Sequence, residues 1–187
     1  MNNNYLPTDY QTFIATSRYA RWLEDEGRRE TWGETVHRYM RYIVYQALPS
    51  LGEPVDDYDY GALEIEIRDA ILSLEVMPSM RSLMTAGKAA DRDNTCMYNC
   101  SYLPVDDPKS FDEAMFILLC GTGVGFSVER QFITKLPDVP TLFQSDTTVV
   151  IKDSKEGWAK GLRQVLALLW AGEIPKWDVS KVRPAGA

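Results

Sequence analysis

A change of pattern at Pro78 limits the possible folds more than any other feature of the sequence. Before Pro78, three segments that begin near Asp9, Thr31 and Asp59 have the composition and spacing of helices. After Pro78, short segments typical of strands alternate with helical ones. Alternation of this kind favours an α/β fold. The sequence therefore predicts a helical region over residues 1–76 and an α/β region over residues 77–187.

The alternating region contains four predicted strands, over 97–103, 126–129, 147–152 and 177–182. A helix over 108–119 follows the first strand, with Asp107 as its cap and Pro108 as its first helical residue. A second helix is capped by Asp153 or Ser154. Its apolar face is formed by Trp158, Leu162, Val165 and Leu169.

The charge balance argues against one large class of function. The 187 residues include 27 acidic and 20 basic side chains, a net charge of −7. General DNA or RNA binders neutralise phosphates with clustered lysine and arginine, so only a local nucleotide pocket remains open. The charged run 24–30 is predicted to be a solvated turn. No apolar stretch approaches the ~20 residues of a membrane span, and no secretory signal is visible, so we expect a cytoplasmic protein.

Three cysteines and one histidine leave several chemistries open. His37 lies beside apolar helix positions, where a surface or boundary histidine is expected. Cys96 and Cys100 could bind zinc only with ligands from elsewhere. In a strand, their even spacing would turn both thiols to one side, where they could form an oxidisable pair or include one active thiol. A buried free cysteine is the ordinary alternative for each.

The glycine-rich segment 120–130, CGTGVGFSVER, is predicted to contain a ligand-contacting loop over 121–125. The segment leaves a helix and enters a strand, whereas the dinucleotide fingerprint leaves a strand and enters a helix. It is therefore not that fingerprint. Three glycines within five residues still allow a ligand to approach the backbone closely.

Taken in order, five blocks of the sequence resemble adenosylcobalamin-dependent (class II) ribonucleotide reductases, above all the monomeric ribonucleoside-triphosphate type of bacteria and phages. The blocks are MPSMRSLMTAG (77–87), YNCSYLPVDD (98–107), CGTGVGFSVER (120–130), VIKDSKEGWA (150–159) and VRPAGA (182–187). Their order and spacing carry the resemblance, because each block alone is a weak signal. The resemblance implies a ten-stranded α/β barrel made of two half-barrels, of which this chain would supply the first part behind its helical region.

The resemblance also assigns roles to residues within these blocks. Cys100 matches a cysteine that helps to reduce the ribose, and Cys120 is expected to be a packed thiol. The implied substrate site contains Ser79, Asn99, Ser101, Gly123, Gly125 and Ser127. The implied allosteric effector site contains Asp107, Lys152 and Arg183. No metal ligands are predicted.

Other groups that the family needs would lie outside this chain. The thiyl-radical cysteine, the disulfide partner of Cys100 and most of the adenosylcobalamin site are downstream in the family. The chain also ends in a turn-like segment after a predicted strand. We therefore expect an N-terminal part that is inactive without its C-terminal part.

The implied partners are a C-terminal fragment of the same reductase, a ribonucleotide substrate, a deoxynucleotide effector and a thioredoxin-like reductant. The resemblance favours a triphosphate over a diphosphate substrate. Two other functions stay open: a non-catalytic nucleotide-binding module, and a cysteine redox switch formed by Cys96 and Cys100.

Overall fold

The protein is described by a computed structural model that covers residues 6–44 and 60–186. Its contacts divide the chain into two compact units, Met1–Tyr98 and Asn99–Ala187. The predicted division into residues 1–76 and 77–187 stays a prediction, and the expected helix start at Asp59 lies outside the described residues. Within these ranges, no helix has the length and apolar composition needed to cross a membrane.

The first unit is mainly helical, with one small hairpin. Its elements are α1 (Asp9–Ile14), a π-helical turn (Ala15–Tyr19), β1 (Trp22–Leu23), β2 (Arg28–Arg29), α2 (Trp32–Tyr42), α3 (Tyr60–Leu72), α4 (Met80–Thr85), α5 (Lys88–Arg92) and a 3-10 turn (Asn94–Met97). The helix predicted over 9–23 is correct only as far as Tyr19, because Ala20 adopts an extended conformation that leads into the hairpin. Strands β1 and β2 then pair antiparallel.

Helix α2 begins with a capping box. The Thr31 hydroxyl accepts a bond from the Glu34 N–H, and the Glu34 carboxylate accepts one from the Thr31 N–H. Arg28 donates two further bonds to the same carboxylate, at 2.7 and 2.8 Å. Bonds from Arg28 and from the Thr31 backbone lower the pKa of Glu34 to about 2. The hairpin is thereby fixed to the start of α2.

The core of the first unit forms around one face of α2. Trp32, Val36 and Met40, which recur at helical spacing in the sequence, lie on this face and are buried. The cluster is completed by Leu6, Ala15, Val44, Ile71 and Leu83. Helix α3 buries only part of its apolar residues, since Leu63 and Ile67 remain 49% and 39% exposed.

A buried ion pair lies beside this core. Arg38 donates from Nε to Glu30 at 2.8 Å, and the Glu30 side chain is only 6% exposed. The carboxylate also accepts bonds from the Arg21 backbone N–H and the Thr35 hydroxyl, at 3.0 and 3.1 Å. Burial alone would raise the pKa of Glu30, but the bonds from Arg38 and Arg21 outweigh it and lower the pKa. The prediction of a solvated turn over 24–30 is therefore wrong at Glu30.

The second unit consists of two strand–helix–strand pairs. Its elements are β3 (Cys100–Pro104), α6 (Lys109–Leu119), β4 (Gly123–Ser127), α7 (Arg130–Ile133), β5 (Phe143–Val150), α8 (Lys155–Trp170) and β6 (Glu173–Asp178). Strands β3 and β4 are parallel, as are β5 and β6. The α/β prediction is confirmed, with shifted strand bounds. The described strands form separate two-stranded sheets, so the implied ten-stranded barrel is not confirmed.

Glycines let α8 approach β5 closely. Val165 of α8 packs with Val149 and Ile151 in a small buried cluster. A Cβ atom at Gly161 would overlap the end of the Ile151 side chain, and one at Gly157 would overlap the Lys152 carbonyl oxygen. The cap of this helix is Ser154, one of the two predicted, whose hydroxyl accepts a bond from the Gly157 N–H.

We predict that Glu30→Gln lowers the free energy of unfolding by about 3 kcal/mol, because it leaves the Arg38 cation partly buried without its counter-charge. Urea titration measures the loss. Asp69→Asn is the control, since Asp69 pairs with Arg68 at the surface and its loss should cost below ~1 kcal/mol. Equal effects of the two substitutions would contradict a central role for Glu30.

The same comparison has an expected pH dependence. The pKa of Glu30 is lower in the folded state than its ordinary value of 4.5, so its stabilisation is present above pH 4.5 and is lost as the pH falls through the folded-state pKa. The difference in stability between the wild type and Glu30→Gln should therefore narrow in acid. Repeating the urea titration across this range measures the change.

We predict that Gly157→Ala destabilises the chain by roughly 1–3 kcal/mol, because the new methyl group would displace the backbone at Lys152. Gly61→Ala is the matched control, since Gly61 is in α3 with open space around it. There, alanine should raise stability by up to ~1 kcal/mol through its helix propensity. Stabilisation by both substitutions, measured by thermal unfolding, would contradict the close approach of α8.

Candidate functional site

Strands β3 and β4 bring the candidate cysteine next to the glycines of the 120–130 segment. Cys100 pairs with Gly123 and Tyr102 pairs with Gly125 along the two parallel strands. Paired residues of neighbouring strands lie on the same face of a sheet, and alternate residues along a strand share that face. Cys100, Tyr102 and both glycines are therefore on one face, and all four are exposed.

The glycines on this face differ from the prediction in conformation. A loop was expected over 121–125, but Gly123 and Gly125 are strand residues, and of the segment's glycines only Gly121 has a positive φ, of 86°. A Cβ atom at Gly125 would make ordinary contacts, 3.7 Å from the Ser101 carbonyl oxygen and 3.9 Å from the Tyr102 ring. These strand glycines are thus not required by their backbone angles. Because these two glycines have no side chain, the backbone beside Cys100 is uncovered.

Most of the candidate substrate residues are brought together at this strand pair. The Asn99 carbonyl accepts a 2.9 Å bond from the Gly123 N–H, and the Ser101 hydroxyl donates a 3.1 Å bond to the Gly123 carbonyl. Ser127 ends β4, and its hydroxyl accepts a bond from the Glu129 N–H. These contacts hold the register of the strands around Cys100.

Ser79 belongs to the first unit. It precedes α4, and its carbonyl accepts a 3.0 Å bond from the Leu83 N–H. Its side chain makes no capping bond, so the hydroxyl has no role in starting that helix.

The three thiols occupy different environments. Cys96 lies in the 3-10 turn Asn94–Met97 and not in a strand, so the prediction that even spacing turns Cys96 and Cys100 to one side of a strand is wrong. Cys100 is the first residue of β3 and is exposed, whereas Cys120 is buried, and none of the three is in a disulfide. Cys100 is the thiol most accessible to a ligand on the glycine face.

The candidate effector residues lie at the starts of two helices. Asp107 accepts a 2.8 Å bond from the Lys109 N–H, but the N-cap of α6 is Pro108, so the predicted cap at Asp107 is one residue too early. Lys152 is exposed on the connection between β5 and α8. Arg183 forms a 2.9 Å ion pair with Asp153, which places Arg183 beside the residue that follows Lys152.

Two charged contacts between α6 and α8 were missed by the sequence reasoning. Asp112 is buried on α6, and its Oδ2 accepts bonds from Arg163 Nε and Nη2 at 2.8 and 2.6 Å. The bond to Asp112 raises the pKa of Arg163. Lys155 donates a 3.3 Å bond to the Cys120 thiol. The only available signal was the acidic residue within the apolar helix 108–119.

A groove with a volume of about 570 Å³ lies between the same two helices. Asp112 and Phe116 line it from α6, and Lys160 and Arg163 line it from α8. Across residues 6–44 and 60–186, no three histidine, cysteine or acidic side chains cluster as a metal site would require.

Several curated proteins that share the same description align with most of this chain. An adenosylcobalamin-dependent ribonucleoside-triphosphate reductase of Lacticaseibacillus paracasei is 31% identical, over 78% of this chain and 22% of the relative. A reductase of the same description from Lactobacillus delbrueckii subsp. bulgaricus is 32% identical, over 75% of this chain and 22% of the relative. This chain is a relative of the adenosylcobalamin-dependent ribonucleotide reductases.

The resemblance of the five sequence blocks to these reductases is thus confirmed. It extends to phages, since a Mycobacterium phage D29 protein described as a reductase of this type is 23% identical over 88% of this chain and 27% of its own length. No family model matches the chain.

The fold agrees with that of a class II reductase. A crystal structure of a B12-dependent (class II) ribonucleotide reductase superimposes with a TM-score of 0.77 at 22% identity, over 94% of this chain and 33% of that chain. The chain spans about a fifth of the length of the curated reductases. Those reductases are adenosylcobalamin-dependent by name, in agreement with the predicted cofactor.

We predict that an aromatic disulfide reagent modifies the three thiols in the order Cys100, Cys96, Cys120, following their exposure. Cys120 should react about tenfold or more slowly than Cys100, since a buried thiol needs a local opening that costs over ~1.4 kcal/mol. The absorbance of the aromatic thiol that the reagent releases measures the rate at which each cysteine reacts. Cys100→Ser should remove the fastest phase and Cys120→Ser the slowest, and any other assignment would contradict the described environments.

Proposed function

We propose that this chain is part of an adenosylcobalamin-dependent ribonucleoside-triphosphate reductase and contributes β3, α6 and β4 to its substrate site. The observation that supports this most strongly is the shared description of curated relatives at 31% and 32% identity, aligned over three quarters of the chain. The proposed activity reduces a ribonucleoside triphosphate to its 2′-deoxy form.

Cys100 is proposed to supply reducing electrons at the ribose. Removal of the 2′ hydroxyl as water takes two electrons, which a pair of thiols provides when it becomes a disulfide. The exposure of Cys100 and the bare backbone of Gly123 beside it support this role. The second thiol would come from downstream sequence, and a thioredoxin-like reductant would return the disulfide to two thiols.

The substrate is proposed to lie over the glycine face. Without side chains at Gly123 and Gly125, a nucleotide can come within hydrogen-bond distance of the backbone. Asn99, Ser101 and Ser127 are proposed as polar contacts around it. The proposed role of Ser79 in phosphate binding rests on the family resemblance alone.

The proposed effector site combines one acceptor with two cations. The Asp107 carboxylate would accept a hydrogen bond from the sugar hydroxyl of a deoxynucleotide. Lys152 and Arg183 would bind its phosphates. The pairing of Arg183 with Asp153 supports this arrangement, because it holds one of the cations close to Lys152.

The cofactor and the remaining groups are proposed to belong to other parts of the reductase. When bound, adenosylcobalamin supplies the homolytic chemistry that makes a thiyl radical. A C-terminal part of the same reductase, in the same polypeptide or as a partner, is proposed to hold most of that cofactor. The chain would be inactive without this part, which is consistent with the ~22% of the relatives that it spans.

We predict that Cys100→Ser abolishes multiple-turnover deoxynucleotide formation in a reductase assembled from this chain and its C-terminal part. Chromatographic assay of the product with a dithiol reductant measures the loss. Cys96→Ser should leave turnover nearly unchanged, because Cys96 lies in the 3-10 turn. Normal turnover by Cys100→Ser would contradict the proposed role, and an equal loss in Cys96→Ser would mean that the wrong thiol was chosen.

We predict that Gly125→Val weakens substrate binding by tenfold or more, about 1.4 kcal/mol, because its side chain would fill the proposed nucleotide space. The strand should tolerate valine, since a Cβ atom there makes only ordinary contacts and β-branched residues suit strands. Affinity is measured on folded protein by equilibrium binding, with thermal unfolding as the control. Unchanged affinity would show that Gly125 does not border the nucleotide.

A further inference from the structure

Lys155 and Cys120 bring an amine and a thiol together between α6 and α8. Lys155 Nζ lies 3.3 Å from Cys120 Sγ and donates a hydrogen bond to it. The same nitrogen is 5.9 Å from the centre of the Phe116 ring, so the ammonium is seated between the ring and the sulfur. Cys120 is buried, with only 8% of its surface exposed.

This placement suits oxidation chemistry. A neighbouring ammonium favours the thiolate, which is the form of cysteine that reacts with peroxide. The first product, a sulfenic acid, condenses with a nearby nitrogen to give a sulfenamide. Burial restricts access to small oxidants, and the Lys155 nitrogen lies 3.3 Å from the sulfur.

We propose that hydrogen peroxide converts this pair into a covalent Lys155–Cys120 sulfenamide. The thiolate attacks one peroxide oxygen, forming an S–O bond and releasing hydroxide, which takes a proton from the Lys155 ammonium and becomes water. The neutral amine then attacks the sulfur, an S–N bond forms, and the sulfenic oxygen leaves as a second water. Sulfur loses two electrons and one peroxide gains them, and a thiol reductant reverses the reaction.

The bridge would join the last turn of α6 to the first turn of α8. Cys120 directly follows α6 and precedes the glycine strand β4, while Lys155 is the first residue of α8. Oxidation would therefore fix the connection between the two strand–helix–strand pairs of the second unit. The inference needs only these side chains and does not rest on the proposed reductase function.

The test uses the full chain with Cys96→Ser and Cys100→Ser, so that Cys120 is the only thiol. After treatment with hydrogen peroxide and digestion with trypsin, mass spectrometry should find peptide 110–130 joined to peptide 153–160, with cleavage blocked at Lys155. The joined pair should be lighter by two hydrogen atoms than the two peptides together. Dithiothreitol should separate it.

Three lysine variants decide the outcome. Lys160→Met, which removes an exposed lysine of the same helix together with its tryptic site, should still join peptide 110–130 to the longer peptide 153–163. Lys155→Met and Lys155→Arg should not, and Cys120 should instead gain two oxygens as a sulfinic acid. Lys155→Arg keeps the positive charge. If circular dichroism shows that Lys155→Met is unfolded, Lys155→Arg alone tests whether the bridge needs the Lys155 amine. Sulfinic acid in the parent at the same rate as in Lys155→Arg, without a joined pair, would overturn the proposal.

Discussion

The ion pair between Glu30 and Arg38 is the contact on which the first unit depends. The Glu30 carboxylate accepts bonds from the residue before the hairpin and from α2, and the Arg38 guanidinium makes further contacts. It donates to the carbonyl oxygens of Tyr19, Leu83 and Ala86, at 3.2, 2.9 and 3.0 Å. These carbonyls belong to the π-helical turn and to the end of α4. The region from the π-helical turn to α2 and the distant helix α4 thus share one charged centre, which is stable only while both charges are present.

The second unit is organised by close backbone approach and not by a central charge. Glycines at 157 and 161 allow α8 to lie against β5 and the turn that follows it. Helix α6 has a buried aspartate that accepts from Arg163 of α8, so the two crossover helices are joined by a charged contact at one level and by Lys155 and Cys120 at another. The strands that carry the candidate substrate residues are held in place by this helical layer. Their outer face, which contains Cys100, stays open.

Much of this arrangement could be predicted from the sequence, because the signals were local. The apolar spacing of Trp32, Val36 and Met40, and the cap at Ser154, depend on neighbours within a few residues. The resemblance to the reductases depended on five sequence blocks in a fixed order, which are likewise visible in the sequence alone.

The failures share a physical cause, which is that long-range contacts leave little trace in a local pattern. Glu30 looked like one more charge in a polar run, and only its distant partner Arg38 makes it buried. Cys96 was judged by its spacing from Cys100 as if both lay in one strand, but the strand begins only at Cys100. Gly123 and Gly125 were predicted as loop because glycine is rare in strands, yet here they are strand residues on the exposed face beside Cys100. The contact between Lys155 and Cys120 could not be predicted, because the two residues are 35 positions apart in the sequence.

The pairing of the strands has a practical consequence for handling the protein. Each described sheet of the second unit contains only two strands, so each strand has one side whose backbone donors and acceptors meet no other strand of that sheet. Such edges are templates for adding strands from another molecule. Concentrated preparations should therefore tend towards sheet-mediated aggregation, and a short peptide that pairs with β4 or β6 would act as a solubilising additive.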